Sequence, residues 1–136
     1  MAEQKPMQNV FVRAVLVAGG IFYTIVGMAL FFAPQWFYDN IGPYPPFNRH
    51  YEGDLGTILM PMGIAMVIAA RNPAQHRLLF GLVVAGSVLH AVNHLLDELV
   101  LSPSTSHALT GSIPLAIFAA ILAAAYFAGM SRRTAS

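Results

Sequence analysis

The chain has no cysteine. Disulfides, thiolate metal sites and cysteine nucleophiles are therefore excluded, while the compartment stays open. Charge is also scarce: Asp, Glu, Lys and Arg make up 10% of the 136 residues, against about 25% in a typical soluble domain. So little charge does not cover a surface facing water, whereas a surface facing lipid needs none. There is no basic arm or acidic tail, and the formal net charge of +1 offers no electrostatic footprint for nucleic acid. Phosphate-binding loops, a dinucleotide fingerprint, an HExxH signature and a defensible Ser-His-Asp set are missing too.

What is present is apolar. Hydrophobic residues reach 57% and gather into four runs, which predict helical spans at about 10–33, 54–71, 77–98 and 107–130. At 1.5 Å per residue the first apolar run, 10–32, is about 34 Å long, enough to cross a ~30 Å hydrocarbon core with some tilt. It exceeds the ~7–15 residue core of a signal peptide and reads as a retained span. The second run, 55–70, measures about 24 Å, short for a crossing unless its polar start joins it. The expected fold is all-α: a single domain, 1–136, built as an integral membrane, antiparallel four-helix bundle.

Basic residues set the expected orientation. Lys5, Arg13, Arg71, Arg77, Arg132 and Arg133 flank one side and Arg49 alone the other. Short loops rich in Lys and Arg stay cytoplasmic, so both termini are expected inside. Asp39, Glu52, Asp54, Asp97 and Glu98 then lie outside, with Glu3 inside. In a bacterium this means the inner membrane with a periplasmic outer face.

The outer loop 34–53 holds Trp36, Phe37, Tyr38, Tyr44, Phe47 and Tyr51, six of fifteen aromatics. Gly42-Pro43 and Pro45-Pro46 bar regular helix through its middle. The loop reads as an interfacial aromatic belt, as a lid over the outer mouth, or as both. Gly53 argues against clean helix back to His50. Asn72-Pro73 marks a tight inner turn, and Met60-Pro61-Met62 a kink. Two small-residue stripes, Gly20/Thr24/Gly27/Met28 and Ala116/Ala119/Ala120/Ala123/Ala124, read as packing surfaces.

The chemistry-bearing pattern is His90, Asn93, His94 and Asp97, at i, i+3, i+4 and i+7 on one face of the third helix. Ionisable residues inside a span are costly and face the interior. His50 and Asp54 open the second span at the same outer end, and His107 opens the fourth. The candidate ligand-binding set is thus His50, Asp54, His90, Asn93, His94, Asp97 and His107. Within it His90, His94, Asp97 and Asp54 could hold zinc, copper or non-haem iron, with Asn93 in support. The two histidines could also ligate haem or a pigment. Alternatively the set is a hydrogen-bond network pinning the helices, or a pocket for a quinone-like or small aromatic molecule under the aromatic loop. A His–Asp pair could move protons in either kind of site. Met60, Met62 and Met66 do not make a copper site, because only Met62 and Met66 share a face.

The segments Phe37-Tyr38, Gly42-Pro43-Tyr44-Pro45-Pro46-Phe47-Asn48-Arg49-His50 and Gly53-Asp54-Leu55-Gly56 resemble small bacterial four-helix membrane proteins of the DoxX-like group, and among them the BphX-like proteins. Length and span layout extend the resemblance over nearly the whole chain. It implies a bacterial inner-membrane location and an accessory link to oxidation or aromatic-compound metabolism, and it assigns no catalytic residue. The function expected is an inner-membrane binding or accessory protein with a polar His/Asp site at its outer end. The alternatives are a metal- or quinone-dependent oxidoreductase component and a small-molecule transporter. Expected partners are the lipid bilayer, further copies of the chain or a larger membrane complex, and the small ligand itself.

Overall fold

Each helix begins and ends where local chemistry directs. The computed structural model describes residues 7–101 and 108–130. Helix α1 (Met7–Phe32) follows the first apolar run. It stops because Ala33 precedes a proline, which disfavours helical backbone at that residue; Ala33 sits at φ −135°, ψ 51°. Pro34 then starts a short helix α2 (Pro34–Asn40) in its first turn, where a missing N–H costs nothing. The segment 34–53 therefore has helix at both of its ends. Its irregular part is confined to residues 41–48, where Gly42 and three prolines fall and where the Pro45–Pro46 peptide bond is cis.

Helix α3 (Arg49–Arg71) is longer than its 16-residue apolar run. The Asn48 side chain caps it, accepting from the His50 and Tyr51 backbone N–H groups at 3.0 and 3.2 Å, which satisfies two otherwise orphaned donors. Helix thus extends back through Gly53 to His50. The cap supplies the start, and Gly53 lies open to its surroundings with nothing within 4 Å of a Cβ there. The helix also continues through Pro61. A tight turn follows, in which Asn72 accepts the Gln75 N–H on its carbonyl at 3.1 Å and on its side chain at 3.2 Å. Helix α4 (Arg77–Leu96) leads directly into a wide-turn π segment, Asp97–Leu101. A second π segment, Ala108–Ser112, precedes helix α5 (Ile113–Met130).

The described residues are mostly helical and contain no strand. Three stretches are long and apolar enough to cross a membrane: Val10–Phe32, Arg49–Arg71 and Arg77–Val100. The apolar stretch Ile113–Gly129 is shorter. Helix α1 packs along α3, α4 packs against α5, and α1–α5 and α3–α4 contacts close the arrangement. The centre holds Leu16, Tyr23, Met66, Phe80, Val83 and Leu122, all buried. Many large apolar side chains, including Phe22, Ile25, Leu82, Leu89 and Phe127, stay exposed on the outside, the inverse of a soluble helical domain.

The α1–α3 seam is held by glycine. A Cβ on Gly63 would lie 2.5 Å from the Gly20 carbonyl oxygen, and one on Gly27 would lie 2.6 Å from the Met60 nitrogen. Gly20 faces Gly63 and Gly27 faces Gly56, so the two helices run antiparallel in backbone contact. The first expected stripe is correct in its glycines, but Met28 is exposed. On α5 the buried line is Ala119, Leu122 and Ala125. Ala120 and Ala124 of the expected alanine stripe are exposed.

Candidate functional site

The buried face of α4 lies roughly a quarter turn from where the sequence pattern put it, at ~100° per residue. Phe80, Val84, Ser87, Ala91 and Glu98 are its buried line. His90, His94 and Asp97 flank that line and are half-buried, and Asn93 is exposed. The pattern was centred on the spacing from His90 to Asp97, whereas packing against α3 and α5, with the Tyr23 hydroxyl of α1 on Ser87, follows Ser87, Ala91 and Glu98.

Glu98 is therefore the buried acid at the end of α4, with 4% of its surface exposed. It occupies the first turn of the π segment, a wide-turn geometry frequent at functional sites. From the irregular 41–48 segment, Tyr44 reaches in to meet it. The Tyr44 hydroxyl donates to Glu98 Oε1 at 2.5 Å and lies 3.2 Å from His94 Nδ1. One hydroxyl has one hydrogen, and it is committed to the carboxylate. The His94 contact then requires Nδ1–H to donate to the phenol oxygen, which leaves the lone pair of the neutral ring on Nε2. The His90 ring stands edge-on to that of His94, with centroids 4.7 Å apart. Across from Glu98, the segment before α5 comes close: a Cβ on Gly111 would lie 3.7 Å from Glu98 Oε1, and Ser112 is fully buried.

This surrounding raises the Tyr44 phenol well above its ordinary pKa. Burial of the hydroxyl is the largest cause, followed by the Glu98 hydrogen bond and charge and then by the Asp97 charge; Ser112 opposes them. Although 38% of the Tyr44 surface is exposed, its hydroxyl end is turned inward.

The other expected residues separate from this group. His50 and Asp54 pair with each other, Nε2 to Oδ2 at 3.5 Å, with side chains 90% and 64% exposed. No hydrogen bond or ion pair ties them to His90, His94 or Asp97. The reason is local: α3 turns Glu52, Gly56 and Gly63 toward α1, which leaves His50 and Asp54 on its outer side. Glu52, with 7% exposure, is the buried acid of α3 instead. His107 lies outside the described residues. Structural metal sites take about four protein donors and catalytic ones about three. Among the described residues no three His, Asp or Glu side chains are grouped to hold an ion, so His90, His94, Asp97 and Asp54 do not assemble as one ligand set.

The residues that sequence reasoning missed are Tyr44, as a hydrogen-bonding partner, and Glu98. Glu98 had a signal, since His90, His94 and Glu98 repeat at i, i+4 and i+8. Tyr44 had none beyond its place in an aromatic loop, because a contact across 50 residues depends on how the loop folds back. The arrangement can donate from imidazole, accept on a carboxylate, and pass a proton along Tyr44, His94 and Glu98. No known protein family, curated protein or solved structure matches the chain.

Proposed function

We propose that this chain is an inner-membrane binding or accessory protein that takes a small polar-headed, ring-shaped molecule such as a quinone at its outer end. The observation that carries the reading is Tyr44 bridging His94 and the buried Glu98. The bridge leaves His94 Nε2 as an acceptor for a ring hydroxyl, which the reduced (quinol) form of a quinone presents, and sets aromatic surface from Tyr44 and His90 beside it. Ligand sites of this kind are mostly apolar, with a few placed polar groups. The four helices would then all lie in the bilayer as an antiparallel bundle, with the basic residues of the chain and both termini on the cytoplasmic side. The resemblance to the DoxX-like group supports a bacterial inner-membrane setting and an accessory role in oxidation. A second reading, a component of a quinone-dependent oxidoreductase, is favoured by the same Tyr44–His94–Glu98 chain, because quinol oxidation needs an acceptor for the protons of the ring hydroxyls.

Trp36 is the single tryptophan and lies on α2 at this end. Titration of the detergent-purified protein with decylubiquinol, the hydroxyl-bearing reduced form, should quench its fluorescence saturably. Tyr44→Phe and His94→Ala should each weaken the apparent affinity at least tenfold, while Asn93→Ala, on the exposed side, should leave it unchanged. Quenching that never saturates, or that is equal in all three variants, overturns the reading.

A further inference from the structure

The opposite end of the molecule carries a second arrangement, built by the α1–α3 seam. Arg13 stands near the start of α1, and its Nη2 donates to the Arg71 carbonyl oxygen at 2.9 Å. That bond satisfies one of the carbonyls orphaned at the end of α3 and fixes the Arg13 guanidinium beside the Arg71 side chain. Both arginines are exposed. Neither makes an ion pair among the described residues, whose acids, Asp39, Glu52, Asp54, Asp97 and Glu98, belong to the loop end. A groove runs from the two arginines along the seam, lined by Val17, Val67 and Ala70. Two cations with no carboxylate beside them among the described residues therefore border a shallow apolar groove that is open to the side.

We infer that this groove binds an anionic phospholipid, with the phosphodiester on Arg13 and Arg71 and one acyl chain along Val17 and Val67. Charge complementarity supplies the headgroup: arginine N–H groups match phosphate oxygens in a planar, bidentate geometry. Arg13 spends one of its five N–H donors on the Arg71 carbonyl and keeps the rest. The apolar floor selects a lipid over a soluble phosphate, because an inorganic ion gains nothing from valines. Basic pockets between membrane helices use the same chemistry. The inference rests on the membrane setting of the helices and is independent of the ligand at the Tyr44 site.

Arg71→Gln is the discriminating variant, because it removes a cation but keeps the backbone carbonyl that Arg13 holds. Native mass spectrometry of the detergent-solubilised protein would be run with dioleoylphosphatidylglycerol, with dioleoylphosphatidylcholine, and with inorganic phosphate alone. The wild-type chain should prefer phosphatidylglycerol. Arg71→Gln should lower that affinity about fivefold, the loss expected for one arginine at a lipid surface, with phosphatidylcholine adducts unchanged. Arg13→Gln should do the same or more, with thermal melting as its folding control. Equal phosphatidylglycerol binding in the wild-type and Arg71→Gln proteins overturns the proposal. Inorganic phosphate binding as tightly as the lipid overturns the assignment to a lipid. Quenching of Trp36 by decylubiquinol should be the same in Arg71→Gln, so failure here and failure at the Tyr44 site are read separately.

Discussion

Tyr44 has one hydroxyl hydrogen and more than one polar neighbour, and this shortage sets the protonation of the whole group. Its hydrogen goes to Glu98, so His94 must donate from Nδ1. Removing the hydroxyl takes a donor from a buried carboxylate, and hydrogen bonds to charged groups contribute about 1.5–3 kcal/mol. Tyr44→Phe should therefore destabilise the loop end by an amount in that range, measurable by thermal melting in detergent. The pH dependence has a definite sign. Burial and Glu98 raise the Tyr44 pKa in the folded state, so the folded protein holds the phenolic proton more tightly than the unfolded chain. The stabilisation is complete below the ordinary tyrosine value of about 10 and is lost as the pH climbs above it. The ultraviolet phenolate difference between the wild-type protein and Tyr44→Phe should appear only above that ordinary range. A difference that develops at the ordinary value would falsify the inward placement of the hydroxyl.

The helices differ in what holds them together. The α1–α3 pair depends on absent side chains, since Gly20, Gly27, Gly56 and Gly63 let backbones touch. Gly63→Ala places a methyl against the Gly20 carbonyl and the Thr24 backbone, neither of which can move alone. Overpacking of this kind costs about 1–3 kcal/mol, and the melting temperature should fall accordingly. Gly53→Ala is the opposite case on the same helix, because nothing lies within 4 Å of its Cβ. Glycine costs a helix interior about 1 kcal/mol relative to alanine, so this variant should melt at the same temperature or higher. If both glycines respond alike, backbone contact is not what holds the seam. The α1–α4 contact relies on a buried hydrogen bond instead. Ser87 donates to the Val83 carbonyl at 2.8 Å, so the Tyr23 hydroxyl, also at 2.8 Å, must donate to Ser87.

At the scale of the whole molecule, polar chemistry is divided between two ends. The loop end carries the described acids with Tyr44, His90 and His94, and the other end carries Arg13, Arg71 and Arg77. This division yields the orientation test. A cysteine at Asn48 would be the chain's only thiol, and it lies at an exposed position of the loop end. The proposed topology requires an impermeant maleimide to label it from outside intact cells. Labelling only after lysis reverses the topology, places the Tyr44 site in the cytoplasm and moves the arginine groove to the outer leaflet.

Helical content, long apolar spans and segregated charge were legible in the sequence because each depends on local composition and period. The glycines of α1 were legible for the same reason, as small residues at helical spacing. The choice of buried face on α4 was not. His90, Asn93, His94 and Asp97 satisfy a helical period as well as Ser87, Ala91 and Glu98 do, and only packing against α3 and α5 separates the two sets. His50 and Asp54 had the right residue types at the right end, and one helical rotation turned them outward. The meeting of Tyr44 with His94 and Glu98 belongs wholly to the tertiary structure. A hydrogen bond across 50 residues is set by where an irregular loop returns, and no period in the sequence encodes that distance.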